Sequence, residues 1–235
     1  MKKKILALAL VVALVAVMVG GSLAYFTDTD EVTNVFTIGS VKIQIWENGA
    51  PTIYPDVKFD KPLNPGNVID KVVQVANNGH NDAYIRTHIA IPTKLVGYLQ
   101  MSVSTTGWSD VVVSNAVVGG VEYTVYSYDY LTAVTKDNVT NVLLQSVWMD
   151  ESVDLAPVGD NGEMEFVKTV DGVTEKSGFK AHVLQSDGTI GSAKINVLVA
   201  SQAIQADGFD ATVENAATKA LNTGFGEGTN PWQAN

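Results

Sequence analysis

Three histidines, His80, His88 and His182, are the only imidazoles in a 235-residue chain that has no cysteine. A zinc hydrolase must bring such nitrogens together, most simply as His-Glu-x-x-His, where two imidazoles share one helix face. That motif is absent, and no two histidines lie four apart on a helix. His80 follows the turn Asn77-Asn78-Gly79, and His88 falls on the polar side of an alternating strand, so both are expected to be solvated. A serine hydrolase of the nucleophile-elbow type needs Gly-x-Ser-x-Gly, which does not occur. No glycine pair stands between a strand and a helix, where a phosphate-binding loop would need it. Asp28, Asp30 and Glu31 form a carboxylate cluster without the ligand spacing of a calcium loop; a solvated charge run describes them better. Tyr126, Tyr128 and Tyr130 share one face of a strand and suit sugar rings or a partner strand, though core or sheet-surface packing describes them better. No catalytic residue, metal site or cofactor is assigned from these patterns.

The elements that would position any site are strands. Val41, Ile43 and Ile45 alternate with Lys42 and Gln44. Ile85, Ile89 and Ile91 oppose Tyr84, Arg86 and His88. Val121, Tyr123 and Val125 alternate with Glu122 and Thr124, and Ile195, Val197 and Val199 with Asn196 and Leu198. Period two with Val, Ile, Thr and Tyr marks half-buried strands. Asn64-Pro65-Gly66, Asn77-Asn78-Gly79, Asp160-Asn161-Gly162, Asp171-Gly172 and Asp187-Gly188 punctuate them, and Gly119-Gly120 reads as a tight hairpin turn. One helix is predicted over Asp210 to Asn222, where Val213, Ala216, Ala217, Ala220 and Leu221 make an apolar stripe, with Asp210 as its cap and Gly224 near its end. The run from Asp137 to Trp148 fits either a short helix or a strand. Many short strands with regular turns favour a sandwich or a barrel.

The N-terminus reads as an export signal. Lys2, Lys3 and Lys4 precede an apolar run from Ile5 to Val19, and Ser22-Leu23-Ala24 offers small residues for a cut between Ala24 and Tyr25. At about 1.5 Å per residue the run spans roughly 22 Å, short of a hydrocarbon core of about 30 Å. We therefore expect residues 1–24 to be a signal peptide, with membrane contact only before cleavage. The last residues, Asn230 to Asn235, carry no hydrophobic tail, so no covalent wall anchor is expected. Losing three lysines makes the formal charge of −10 more negative still, which argues against nucleic acid or anionic lipid as a partner.

The segment after the cut has its own signature. Its apolar phase is even at Phe36 and Ile38 but odd at Val41, Ile43 and Ile45, and the flip falls at Gly39-Ser40. A one-residue phase change turns side chains to the other face. Gly39 then marks a bulge in one bent strand, or a hinge between a free arm, residues 25–38, and a domain, residues 39–235. Such an arm, with Phe26, Val32, Val35, Phe36 and Ile38 as its apolar residues, could pair with an open sheet edge on another copy.

Ala24-Tyr25-Phe26-Thr27-Asp28-Thr29-Asp30, followed by Asn34-Val35-Phe36-Thr37-Ile38-Gly39-Ser40-Val41, resembles the mature start of the TasA and camelysin (CalY) family, which is exported through a SipW-type signal peptidase. Leu63-Asn64-Pro65-Gly66 before Val72 to Gly79, Ala83 to Arg86 and Ala203 to Ala206 are similar to later parts of the family pattern. The resemblance implies a jelly-roll-like antiparallel β-sandwich with one or two short helices. It also implies a secreted, non-enzymatic subunit of extracellular-matrix (biofilm) or cell-surface fibres, a homopolymer built by donor-strand complementation through the N-terminal arm. Other matrix or cell-surface components would be further partners. The alternatives are a secreted camelysin-like metallopeptidase, for which the histidine motif is missing, and an adhesion or glycan-binding module using the tyrosine face.

Overall fold

The computed structural model describes residues 27–30, 41–51, 66, 68–193 and 195–233, and of residues 27–30, 50 and 51 only the backbone. Among these the protein is mostly β, with antiparallel pairing throughout its named strands, in keeping with a β-sandwich. The central sheet has five strands in the order β1 (Thr27–Asp30), β15 (Leu198–Gln205), β6 (Ala83–Pro92), β9 (Val121–Asp129) and β8 (Val112–Val118). Facing it are β2 (Ile43–Glu47), paired with β3 (Ala50–Pro51) and β5 (Val73–Asn77), and the sheet of β4 (Val68–Asp70), β10 (Leu144–Met149) and β7 (Leu99–Val103). Backbone bonds from Leu143 to Val73, from Thr140 to Val75 and from Asn77 to Asn138 tie these two sheets along β5. The fourth sheet, β11 (Val153–Pro157), β12 (Met164–Val170), β13 (Val173–Leu184) and β14 (Ile190–Ser192), adds Phe166, Phe179 and Ala181 to the core.

The alternation seen in the sequence sorts residues as expected. Val41, Ile43 and Ile45 are buried, Lys42 is exposed, and Ile85, Ile89 and Ile91 join them in one core with Val75, Val147 and Met149. Two turns behave as read. Gly119 and Gly120 have φ of +57° and +81° and connect β8 to β9 in two residues, the left-handed pair that a type I′ hairpin requires. Asn77 folds its turn by accepting from the Gly79 N–H and donating to the carbonyls of Asn81 and Val134. Beside β5, Lys71 is almost wholly buried and reaches Glu47 at 2.8 Å; desolvation lowers its pKa, and the carboxylate works against that.

Other expectations are corrected. The open run 137–148 resolves to a strand at its end, β10, preceded by irregular chain. The strand expected at 195–199 starts only at Leu198, although Val197 is buried. The helix, α1, runs Ala216–Phe225, later than predicted. Asp210 caps a separate turn, accepting from the N–H and hydroxyl of Thr212. Gly224 lies inside the helix, and Gly226, at φ +89°, ends it.

Candidate assembly edge

One edge of the central sheet is completed by the start of the N-terminal arm. β1 runs antiparallel to β15 and sets Thr27 opposite Ile204, Asp28 opposite Ala203, Thr29 opposite Gln202 and Asp30 opposite Ser201. β15 pairs on its other side with β6 over its whole length, from Leu198–Ala90 to Gln205–Ala83. Among the described residues, the four of the arm pair with Ser201 to Ile204, half the length of β15. An edge strand holds unpaired N–H and C=O groups that any extended segment in register can satisfy.

The sheet behind this edge is held rigid by polar groups on its outer face. Arg86 forks onto Asp129, with Nε to Oδ1 at 2.6 Å and a terminal nitrogen to Oδ2 at 3.1 Å. The same guanidinium donates to the Asn222 side chain at 2.6 Å and to the Gly226 carbonyl at 3.1 Å, so it clamps α1 to the sheet. Two positions along β6, His88 is fully buried between Ser127 of β9 and Gln202 of β15. Gln202 offers its carbonyl oxygen at 3.0 Å, so His88 Nε2 carries the proton and Nδ1 accepts from the Ser127 hydroxyl at 2.8 Å. Burial holds the imidazole neutral and pushes its pKa down to about 4, with Arg86 adding to this and Gln202 and Asp129 opposing it. Trp232 packs edge-on against the ring at 6.2 Å between centroids. Tyr84 and Ile204 pack under Ala217, Ala220 and Leu221 of α1. The 216–233 segment therefore closes this face from one end of the sheet to the other.

The residues singled out in the sequence fare differently. Ala24, Tyr25, Phe26, Val32, Val35, Phe36, Ile38 and Gly39 lie outside the described residues. His88 is not the solvated histidine expected: its strand alternates correctly, but α1 and the C-terminal segment cover the polar face. His80 is exposed, and His182 is half-buried on β13. Tyr128 is buried in the core, with Tyr126 and Tyr130 packed against it, so the tyrosines do not form an open aromatic stripe. Among the described residues no three His, Asp or Glu side chains converge as metal ligands, and both nitrogens of His88 are already engaged. These side chains do not fit a zinc site. Also among the described residues, no helix is long and apolar enough to cross a membrane.

Residues 1–95 match the camelysin metallo-endopeptidase family. The camelysin match takes in β1 to β6, and so contains both the arm and the strand that anchors β15. The strand the arm touches, α1 and the C-terminal segment lie beyond it. No curated protein and no solved structure matches the chain.

Proposed function

We propose that this chain is a secreted, non-enzymatic structural subunit that polymerises into extracellular or cell-surface fibres, each copy lending its N-terminal arm to the next. The signal of residues 1–24 is cut after Ala24, the arm of residues 25–38 is freed, and Gly39 is its hinge. The observation that carries the reading is the pairing of Thr27–Asp30 along β15. An arm that satisfies this edge in its own copy satisfies the same edge, in the same register, in a neighbour. The exchange then changes few contacts, which is the logic of domain swapping. In that register the next residues of an incoming arm, Glu31 and Val32, meet Ala200 and Val199. The match over residues 1–95 agrees with the resemblance of the mature start to the TasA and camelysin family, and it is through that resemblance that the fibre reading is drawn. Other matrix or cell-surface components are secondary partners.

The test is deletion of residues 25–37 from the mature protein. It should leave a soluble monomer that makes no fibres by electron microscopy at concentrations where the intact mature chain does. Identical fibres from the deleted protein would overturn the donor-arm reading. The family description favours a second reading, a metallo-endopeptidase. It requires stoichiometric zinc and chelator-sensitive cleavage of casein in the purified protein; if both are missing, that reading falls.

A further inference from the structure

The central sheet has a second edge, and among the described residues no strand lies beyond it. β8 ends the strand order. From Val111 to Val121 there is no charged residue and no proline, the devices by which edge strands are usually protected. Its valines are open to solvent, Val113 at 55% and Val117 at 63%, with Val111, Val112 and Val121 also exposed.

The hairpin fixes which backbone groups are free. A two-residue turn is closed by a pair that exchanges both backbone bonds, and that pair is Val118 and Val121. Counting back in twos, Ser114 and Ala116 also aim their N–H and C=O at β9. Val113, Asn115 and Val117 aim theirs outward. The Asn115 carbonyl fits this count, since it meets the side-chain amides of Asn230 and Gln233 from the C-terminal segment at 3.4 and 3.5 Å. Both contacts lie at the long limit of hydrogen bonding, so a backbone N–H at about 2.9 Å displaces either of them.

We propose that β8 pairs with β8 of a second copy, antiparallel, about a twofold axis through Asn115. The strand's own sequence is the argument. Val112-Val113-Ser114-Asn115-Ala116-Val117-Val118 reads nearly the same in both directions. On the axis Asn115 faces Asn115, Ser114 faces Ala116, Val113 faces Val117 and Val112 faces Val118. Valine meets valine, small meets small and no like charges meet, so every cross-strand pair is compatible. In a chain of net charge −10 an uncharged edge is also where two copies approach with least repulsion. Such an interface is self-complementary and closes as a dimer. One short strand a side buries less than a stable complex needs, so the pairing belongs to high local concentration, where repeated weak contacts add. It is a lateral contact, on the opposite edge from the arm, and does not depend on the arm reading.

The absence of cysteine gives a clean test in the full mature chain. On a hydrogen-bonded antiparallel pair the Cα atoms are about 5.5 Å apart, within disulfide reach. Asn115→Cys should therefore cross-link to itself under mild oxidation. Val113→Cys and Val117→Cys, each four residues out of register with its own copy at roughly 13 Å, should cross-link poorly alone but well when mixed together. Adding Val113→Lys and Val117→Lys to Asn115→Cys should reduce its dimer at least tenfold. All these positions are exposed, so the fold is retained, and Glu214→Cys measures chance collision. Three results would each overturn the proposal. One is Asn115→Cys at or below the Glu214→Cys level. Another is equal yields from all three β8 cysteines taken singly. The last is capture of Asn115→Cys by a cysteine at Val35 in preference to itself, which would make β8 a seat for the arm.

Discussion

Asp129→Ala should destabilise the protein by about 3–5 kcal/mol, the range for removing one partner of a buried ion pair. Arg86 and Asp129 are each about 5% exposed. The substitution leaves the guanidinium in place, held only by the neutral Asn222 oxygen and the Gly226 carbonyl. A full charge then sits desolvated beneath α1. The cost comes mostly from that stranded charge, so removing both partners should hurt less than removing one. Arg86→Met with Asp129→Leu should recover much of the loss if the pair packs as an apolar couple, and a double-mutant cycle should show strong coupling. Urea denaturation at pH 7 measures both, read from midpoints with the slope checked for constancy. A loss below about 1 kcal/mol for Asp129→Ala, the level of an exposed pair, would mean that water reaches Arg86. Arg86 stands opposite Gln202, and Gln202 opposite Thr29, so on the assembly proposed above Asp129→Ala should weaken fibre formation along with stability.

That clamp shows where the sequence stops being legible. Alternation along 84–91 correctly separates Ile85, Ile89 and Ile91 from Tyr84, Arg86 and His88. It says which side of the pleat a residue takes, and nothing of what lies over that side. The cover on the polar face comes from 216–233, more than a hundred residues away, so Arg86, Asp129 and a histidine expected to be solvated are interior. The tyrosines differ: core packing is one of the readings their shared face allows, and it is the one the structure shows. The helix stripe holds from Ala216 onward, but Asp210 accepts from the N–H and hydroxyl of Thr212 before the helix begins and so does not cap it. The hairpin turn at Gly119-Gly120 implies a strand on each side, but consecutive valines at 111–113 and 117–118 break period two, so the pattern does not show that β8 is an edge. For the arm, the phase flip that suggests a boundary at Gly39 lies outside the described residues, while the described pairing with β15 is in the polar residues 27–30. Register is a property of two strands at once, and one strand's pattern does not contain it.

Acid should loosen the same outer face through His88. The folded imidazole has its pKa near 4, against about 6.5 in an unfolded chain. Above pH 6.5 neither state is protonated and the stability is complete. Between pH 6.5 and 4 the unfolded chain takes up a proton that the folded one refuses, so stability falls as pH falls. Below 4 both bind it, and the loss, about 3 kcal/mol in all, is finished. The shifted carboxylates act lower. Glu163, held down to about 2 by Lys180, Asn161 and the Leu184 N–H, and Asp150, Glu165, Asp187 and Asp210 are all lowered. Their contributions are present above their ordinary range of about 4 and are lost only beneath it. The slope from pH 6.5 down to about 5 should thus include a His88 share that His88→Gln removes, since glutamine keeps an amide to meet Ser127 and Gln202 but does not titrate. Urea midpoints at half-unit steps across that window, wild type against His88→Gln, give the difference directly. Equal slopes would mean that His88 is protonated in place without disturbing the fold. A steeper wild-type slope would place the acid-sensitive joint of this sheet at His88, beside Gln202 on the strand that pairs with β1.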